Sequence, residues 1–300
     1  MTQIPENFYR YKQTDIWTNE TIPEAILNKH NTKAGVYGKI LVLEGALAYT
    51  AFKDAKGEVD YKAVIKTGSH GVSAPQQWHK VEPIGETKFL VEFYQEKPEN
   101  IQKIESDFAE KFPDKKPHDE LKLLLSQENF EGKKALDLGS GGGRNSLLMA
   151  HNGLSVTSWD QNVEGLTETQ FLADRANLNL ETEEKNLNID RVTENFDVII
   201  ATVSLQFLEK KSAHELWQSV VDHTNIGGYN LLIVPIASDD VGCEIPFPNL
   251  VPYENYLNFY ENENWEILHA DNMVGHFHRR DANGNRIKSR FTTIIAKKIK

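Results

Sequence analysis

A chain of 300 residues, 39% of them hydrophobic and 26% charged, is long enough for one large or two ordinary globular domains, each with a sizeable core. Its net charge of -11 excludes broad, non-specific adhesion to nucleic acid or anionic lipid, so an anionic ligand would have to meet a local basic cluster. The single cysteine, Cys243, excludes a disulfide framework and a thiolate metal cage; with no signal sequence and no apolar run of membrane-spanning length, a cytoplasmic protein unattached to membrane is expected.

The first third alternates apolar and polar side chains in short runs, over 38–43, 46–52, 59–65, 78–81 and 88–94, parted by glycine, proline and Asp/Lys turns. That pattern predicts a small all-β sandwich or barrel over 1–96. His30, His70 and His79 recur among these segments. Three histidines on a barrel would suit a divalent metal or an anion, but their spacing makes no local ligand motif, and polar or structural histidines are the simpler reading, so no metal site is assigned. Residues 97–117, rich in charge and proline, read as a linker with a short helix around 104–112.

From residue 118 the period changes. Leu121, Leu124 and Leu125 mark a helix, followed by a strand at 134–138, a helix at 145–152, a strand at 155–159 and a helix at 163–176. Strands at 180–185 and 196–202, a helix at 213–223, a strand at 229–235 and a helix at 254–260 continue the alternation. The close is a hairpin, 265–271 and 290–296, with Asn283-Gly284 at its tip. Over 118–300 this predicts an α/β, doubly wound, Rossmann-like parallel sheet with an antiparallel edge pair and a ligand at the carboxyl ends of its strands.

Between the first strand and its helix stand Gly139, Gly141 and Gly143, which remove Cβ atoms where the chain turns sharply and a ligand must approach the backbone. A dinucleotide fold would place a third small residue at position 144, but Arg144 is there. Asp137, two residues before the first glycine, is unwelcome beside a pyrophosphate and suits a ligand carrying an ammonium and a sulfonium. That ligand is S-adenosylmethionine (SAM). Asp160, one βαβ unit on, can accept both ribose hydroxyls; Asn186 and Leu187 after the third strand would reach the adenine, and Thr202 and Val203 after the fourth would lie near the methyl. No Asp/Asn-Pro-Pro-aromatic tetrad follows 196–202, which argues against nucleobase amines as acceptors.

Near the C-terminus His276, His278, Arg279, Arg280, Arg286, Lys288 and Arg290 are opposed within the stretch only by Asp281. The cluster reads either as a solvated hairpin with snorkelling side chains or as an oxyanion pocket, since guanidinium forks bind oxyanions through paired hydrogen bonds. Cys243 reads as a small hydrophobe in preference to a nucleophile.

Leu136-Asp-Leu-Gly-Ser-Gly-Gly-Gly-Arg-Asn-Ser146, Val156-Thr-Ser-Trp-Asp160, Thr224-Asn-Ile-Gly-Gly-Tyr-Asn230 and His278-Arg-Arg-Asp-Ala-Asn-Gly-Asn-Arg-Ile287 resemble the TehB tellurite-resistance methyltransferases. Tyr11-Lys12, Trp17-Thr18, His30-Asn-Thr-Lys33 and Pro75-Gln-Gln-Trp-His79 resemble the cupin-like domain that precedes the methyltransferase in the long members. The resemblance implies SAM-dependent methylation of tellurite, with selenium oxyanions as further substrates, and puts His278, Arg279 and Arg286 on the catalytic residues that handle the oxyanion. Where the family commonly has a cysteine this chain has Ser140, and where it has an aspartate this chain has Asn186, which removes a carboxylate near the adenine. Two other readings stay open: the same enzyme acting on a small thiol or an organic carboxylate, and a sensing protein whose first domain binds a ligand or metal. Beyond a small-molecule oxyanion, the sequence leaves room for a homo-oligomer as partner, and none for nucleic acid or membrane.

Overall fold

Strand pairing sorts the strands of the computed structural model, which describes residues 3–300, into two sheets. They belong to two units that divide between Gln102 and Lys103.

The first unit contains β1 (Phe8–Gln13), a single turn α1 (Glu24–Leu27), β2 (His30–Asn31), β3 (Val36–Phe52), β4 (Val59–Lys66), β5 (His70–Ser73) and β6 (Trp78–Glu96). Its sheet is antiparallel in the order β1-β6-β3-β4, with β2 also on β6 and β5 also on β3. The segments read at 38–43 and 46–52 are one strand. Its register shifts on either side of Glu44, and the inward side chains change parity there, from Ile40 and Val42 to Leu47, Tyr49 and Ala51. A bulge does this because one inserted residue moves every later side chain to the other face. These residues pack with Ile65, Val81, Phe89 and Val91 as the unit's core. β1 escaped the sequence reading because none of its residues is fully buried, which leaves no alternation to detect.

The segment 97–117, expected as a linker, is largely helical: α2 (Glu99–Lys111) crosses the division, and Phe108 and Phe112 anchor its second half in a hydrophobic cluster of the second unit. There follow α3 (Asp119–Leu125), β7 (Lys134–Leu138), α4 (Arg144–His151), β8 (Ser155–Asp160), α5 (Val163–Arg175), β9 (Leu180–Glu184), β10 (Phe196–Thr202), α6 (Lys210–Asp222), β11 (Thr224–Ile236), a short α7 (Glu254–Leu257), β12 (Trp265–Arg280) and β13 (Arg286–Lys298). The seven strands lie in the order β12-β13-β11-β10-β7-β8-β9. β7 to β11 run parallel to one another, and β13 runs antiparallel between β11 and β12. Both faces are covered: Leu136, Leu138, Ile199 and Val234 pack on one side, Ala135, Ile200, Leu231 and Leu147 on the other. Burial on both faces explains why β10 and β11 are nearly continuous apolar runs.

The order reverses at β7, which has β8 on one side and β10 on the other, and such a switch point opens a crevice at the strands' carboxyl ends. The closing hairpin is longer than the sequence suggested. β10 ends at the rung that links Thr202, Ile233, Thr293 and Asp271, whereas β12 and β13 run on to a tip at 281–285. No described helix is long and apolar enough to cross a membrane.

Candidate active site

Asp137 closes β7 on the face that carries Ala135 and is only 1% exposed. Its Oδ2 accepts the Ser146 hydroxyl at 2.6 Å, while Oδ1, equally buried, has no partner. Burial pushes this carboxyl up to about 6, against the lowering influence of the Ser146 hydroxyl and the Arg144 guanidinium. A buried, half-satisfied carboxylate at a strand end is an acceptor waiting for a cationic donor.

The turn after it is shaped by crowding. Gly139 and Gly143 sit at φ 75° and 70°, where L-side chains are strained. A Cβ at Gly139 would run into Ser204, and one at Gly143 into the Thr169 side chain, so the turn is packed against β10's loop and α5. Gly141 between them faces open space. Its N–H donates to Asp160 Oδ2 at 2.7 Å, and Asp160 Oδ1 accepts from Asn162 N–H at 2.8 Å. Gly139 and Ser140 both donate to the Trp159 carbonyl, at 2.8 and 3.0 Å. The ends of the first two strands are thereby stitched to one glycine turn.

On the other side, Asn145 donates to Thr202 Oγ1 at 2.8 Å and accepts the His118 N–H at 3.1 Å. Val203 holds φ 55°, a left-handed conformation that a β-branched residue rarely adopts, and its N–H donates to Ile233 O at 2.7 Å. Ser204 Oγ donates to Leu138 O at 2.7 Å. Arg144 reaches to His118 Nε2 at 2.7 Å, and because a guanidinium only donates, the His118 proton is on Nδ1, 3.7 Å from Glu120 Oε2. Leu187 is buried against the space above Gly139. Asn186 caps a turn, its Oδ1 accepting Asn188 N–H at 3.0 Å and its own N–H donating to Asp190 Oδ2 at 2.7 Å.

Asp137, the three glycines, Arg144, Asp160, Leu187, Thr202 and Val203 are therefore tied into one network of contacts at the carboxyl ends of β7, β8 and β10, with Asn186 beside Leu187. His278, Arg279 and Arg286 are on the overhanging hairpin and contact none of these groups among the described residues. Arg286 Nε donates to Phe277 O at 3.0 Å, and Arg286 faces Arg280 across the strands. Arg290, grouped with them in the sequence, is spoken for: it clamps Asp240 and donates to Asn272 O at 2.7 Å. A chain of rings links hairpin to crevice, from Phe207 to Phe247 at 5.3 Å, Phe247 to Phe277 at 5.4 Å and Phe277 to Phe291 at 4.9 Å. Sequence reading missed the parts played by Ser146, Asn145, Ser204 and His118; the first two flank the glycine turn and are polar where a helix should be apolar, which was the available signal.

The residues fit SAM: an unpartnered buried carboxylate for its ammonium, a glycine turn open at Gly141, and a strand-end acid for hydroxyls. Sheet order, antiparallel seventh strand and acid–glycine–acid crevice define a class I SAM-dependent methyltransferase. Residues 101–295 match the family model for tellurite resistance protein TehB, and residues 12–91 that for the TehB-like domain. The chain belongs to the TehB family and is a SAM-dependent methyltransferase. It is 34% identical over 290 residues to the probable S-adenosyl-L-methionine-dependent methyltransferase TehB of Haemophilus influenzae, covering 96% of this chain and 97% of that one. The crystal structure of Haemophilus influenzae TehB aligns with a TM-score of 0.59 at 32% identity, over 98% of this chain and 99% of that one. The uncharacterized protein YeaR of Escherichia coli is 32% identical over 99 residues, 31% of this chain and 83% of its own.

Proposed function

We propose that the enzyme methylates tellurite, and selenium oxyanions of the same shape, in the cytoplasm. The observation that carries the reading is the hairpin's uncompensated charge. Arg280 and Arg286 are paired across the strands, like charges that repel at that range, and no ion pair among the described residues neutralises either of them or Arg279. Asp281, next to Arg280 in the chain, accepts the N–H groups of Asn283 and Asn285, both at 2.8 Å, and makes no ion pair with these arginines among the described residues. A pyramidal dianion would relieve that repulsion.

Asp137 would take the ammonium of the cofactor, the 139–143 turn its methionine and ribose, Asp160 the ribose hydroxyls and Asn186 with Leu187 the adenine. When bound, SAM supplies an electrophilic methyl on a cationic sulfur, which the lone pair of a chalcogen(IV) centre accepts as the carbon–sulfur bond breaks and a neutral thioether leaves. No protein nucleophile is then needed, so Arg279 and Arg286 orient the oxyanion and offset its charge, and His278 accepts the proton of its acid form. The Phe207–Phe291 ring chain holds the hairpin against the β10 loop.

The test is headspace detection of methylated tellurium from purified protein given SAM, tellurite and a thiol reductant. Arg286→Ala should lower that yield at least tenfold with SAM affinity unchanged. Methylation of the thiol or of an organic carboxylate in place of tellurium would sink the assignment of acceptor and leave the methyltransferase.

A further inference from the structure

β2 and β6 place His30 directly opposite His79 in the first unit, with ring centroids 4.2 Å apart. His70, the third histidine of the sequence pattern, is on β5 and does not join them; burial lowers its pKa, and Lys39 lowers it further. Each of the paired rings is held by its own backbone: His30 Nδ1 lies 2.9 Å from Asn28 O and His79 Nδ1 2.9 Å from Gln77 O. A carbonyl oxygen cannot donate, so both Nδ1 atoms carry a hydrogen, and in a neutral ring Nε2 then presents the lone pair. Among the described residues nothing donates to either Nε2. His79 is 6% exposed, and burial brings it down to about 4, so it is neutral at pH 7.

Both histidines line a cavity of about 270 Å³. Its walls are apolar, with Trp17, Phe89, Val91 and Phe93 among them, and at its rim stand the exposed Lys12 and Lys33. None of the lining residues is a carboxylate. A cationic occupant would meet two lysines and no carboxylate. The buried hydroxyls of the lining are engaged within the wall, Ser73 Oγ donating to Gly38 O at 3.4 Å and Thr32 Oγ1 lying 3.0 Å from Ser73 Oγ, so a naked oxyanion would meet the histidine lone pairs where it needs donors. Nor do the described residues hold a group of three His, Cys, Asp or Glu side chains placed for a metal. What the deep end wants is a neutral hydrogen-bond donor on a flat apolar body, and what the rim wants is negative charge. A benzene ring is held in an engineered core cavity of about 150 Å³, so one ring with two substituents is the right size.

We propose that this cavity binds a small hydroxyaryl carboxylate, its hydroxyl donating its one hydrogen to Nε2 of the buried His79, beside His30, and its carboxylate meeting Lys12 and Lys33. The site is distinct from the crevice of the second unit and independent of what that crevice methylates.

Calorimetric titration of the full-length, EDTA-treated protein at pH 7.5 with 4-hydroxybenzoate, 4-methoxybenzoate and benzoate tests it. The hydroxyl compound should bind at least tenfold more tightly than the other two. His79→Leu should abolish that preference, and because a core substitution can impair folding, the Lys12→Ala/Lys33→Ala double variant, altered only at exposed positions, should weaken all three ligands several-fold. Equal affinity for the hydroxy and methoxy compounds, heat from none of the three, or stoichiometric zinc uptake through His79 by protein that ignores 4-hydroxybenzoate would each overturn the proposal.

Discussion

Asp160 Oδ2 accepts the N–H of Gly141 at 2.7 Å, so the acid at the end of the second strand is also the strut of the glycine turn that follows the first. One side chain thus sets both a ligand acceptor and the shape of the loop facing it. Removing it should cost twice. Hydrogen bonds to a charged group are worth about 1.5–3 kcal/mol each, so Asp160→Ala should raise the SAM dissociation constant by about 10–100-fold. Asp160→Asn, which keeps one acceptor oxygen, should fall between. Calorimetry with SAM and with its demethylated product measures both, and an unchanged constant in the alanine variant removes Asp160 from the site.

Asp137 supplies a prediction in which stability and affinity move in opposite directions. Its folded carboxyl is raised by burial from 3.8 to about 6. The folded state therefore holds the proton more tightly than the unfolded chain does, and stability of the unliganded protein declines as pH rises from about 4 to above 6. At pH 7.5 the penalty is complete, on the order of 3 kcal/mol. Asp137→Asn should remove it, raising the melting temperature at pH 7.5 and hardly at all at pH 4, while SAM affinity collapses. In the unmodified protein SAM affinity should climb with pH through about 6, as the carboxylate that would meet the ligand's ammonium ionises. Melting curves and titrations at pH 5.5 and 7.5 check both halves.

Legibility in the sequence followed burial. β7 and β10 are read to the residue, since a strand covered on both faces is a short apolar run bounded by polar residues, and the glycine turn with its two acids is visible because backbone geometry there leaves few choices of side chain. Length was lost wherever burial was partial. Beyond Asp271 the hairpin's buried apolar residues are sparse, Val274 and Ile287 standing among histidines, glycine and arginines, so only its base could be inferred, and α2 spreads its buried Ile101 and Phe108 among charges, so only its second half read as a helix. The parity change at Glu44 looked like two strands because a bulge and a turn leave the same mark on an apolar pattern. What could not be read at all is pairing at long range: nothing in the spacing of His30, His70 and His79 tells that the first and third share a cavity and the second does not.

In the first unit Glu92 is a buried hub, bonded by Arg10 at 2.8 Å, Lys39 at 3.1 Å and the Tyr94 hydroxyl at 2.8 Å. Burial opposes its ionisation, but Arg10 and Lys39 outweigh it and hold the carboxyl below its ordinary 4.5. Its contribution is thus present above pH 4.5 and is lost as pH falls through the lower folded value. Glu92→Ala should cost about 3–5 kcal/mol at pH 7, since two cations lose their partner, and less at pH 3. Chemical denaturation of the full chain at the two pH values distinguishes this from a loss of packing, which would not depend on pH.

Val203 pays a strain of about 1–3 kcal/mol for its left-handed backbone. Glycine would release that strain but forfeit the valine's packing beside the β10 core, so Val203→Gly should alter the melting temperature by only a few degrees. Its effect on turnover should be larger, because the position loses its single preferred conformation beside Thr202 and Ser204. A drop in stability as large as that of an ordinary buried Val→Gly change would show that the backbone there is unstrained.

Phe277 bears on whether the hairpin works with the crevice or merely overhangs it. Its ring touches Phe247 on one side and Phe291 on the other, and it directly precedes His278. Phe277→Ala breaks both contacts at the point where the hairpin is tethered to the loop carrying Phe207, without touching a residue of the glycine turn. If His278, Arg279 and Arg286 act on the acceptor, loosening that tether should lower acceptor turnover about tenfold or more and leave the SAM dissociation constant within twofold, while Phe277→Leu, which keeps an apolar body in the gap, should recover part of the loss. Equal turnover in all three proteins would mean that the basic hairpin is a solvated projection, and the acceptor would then have to be sought among the uncharged groups around Val203 and Gln206.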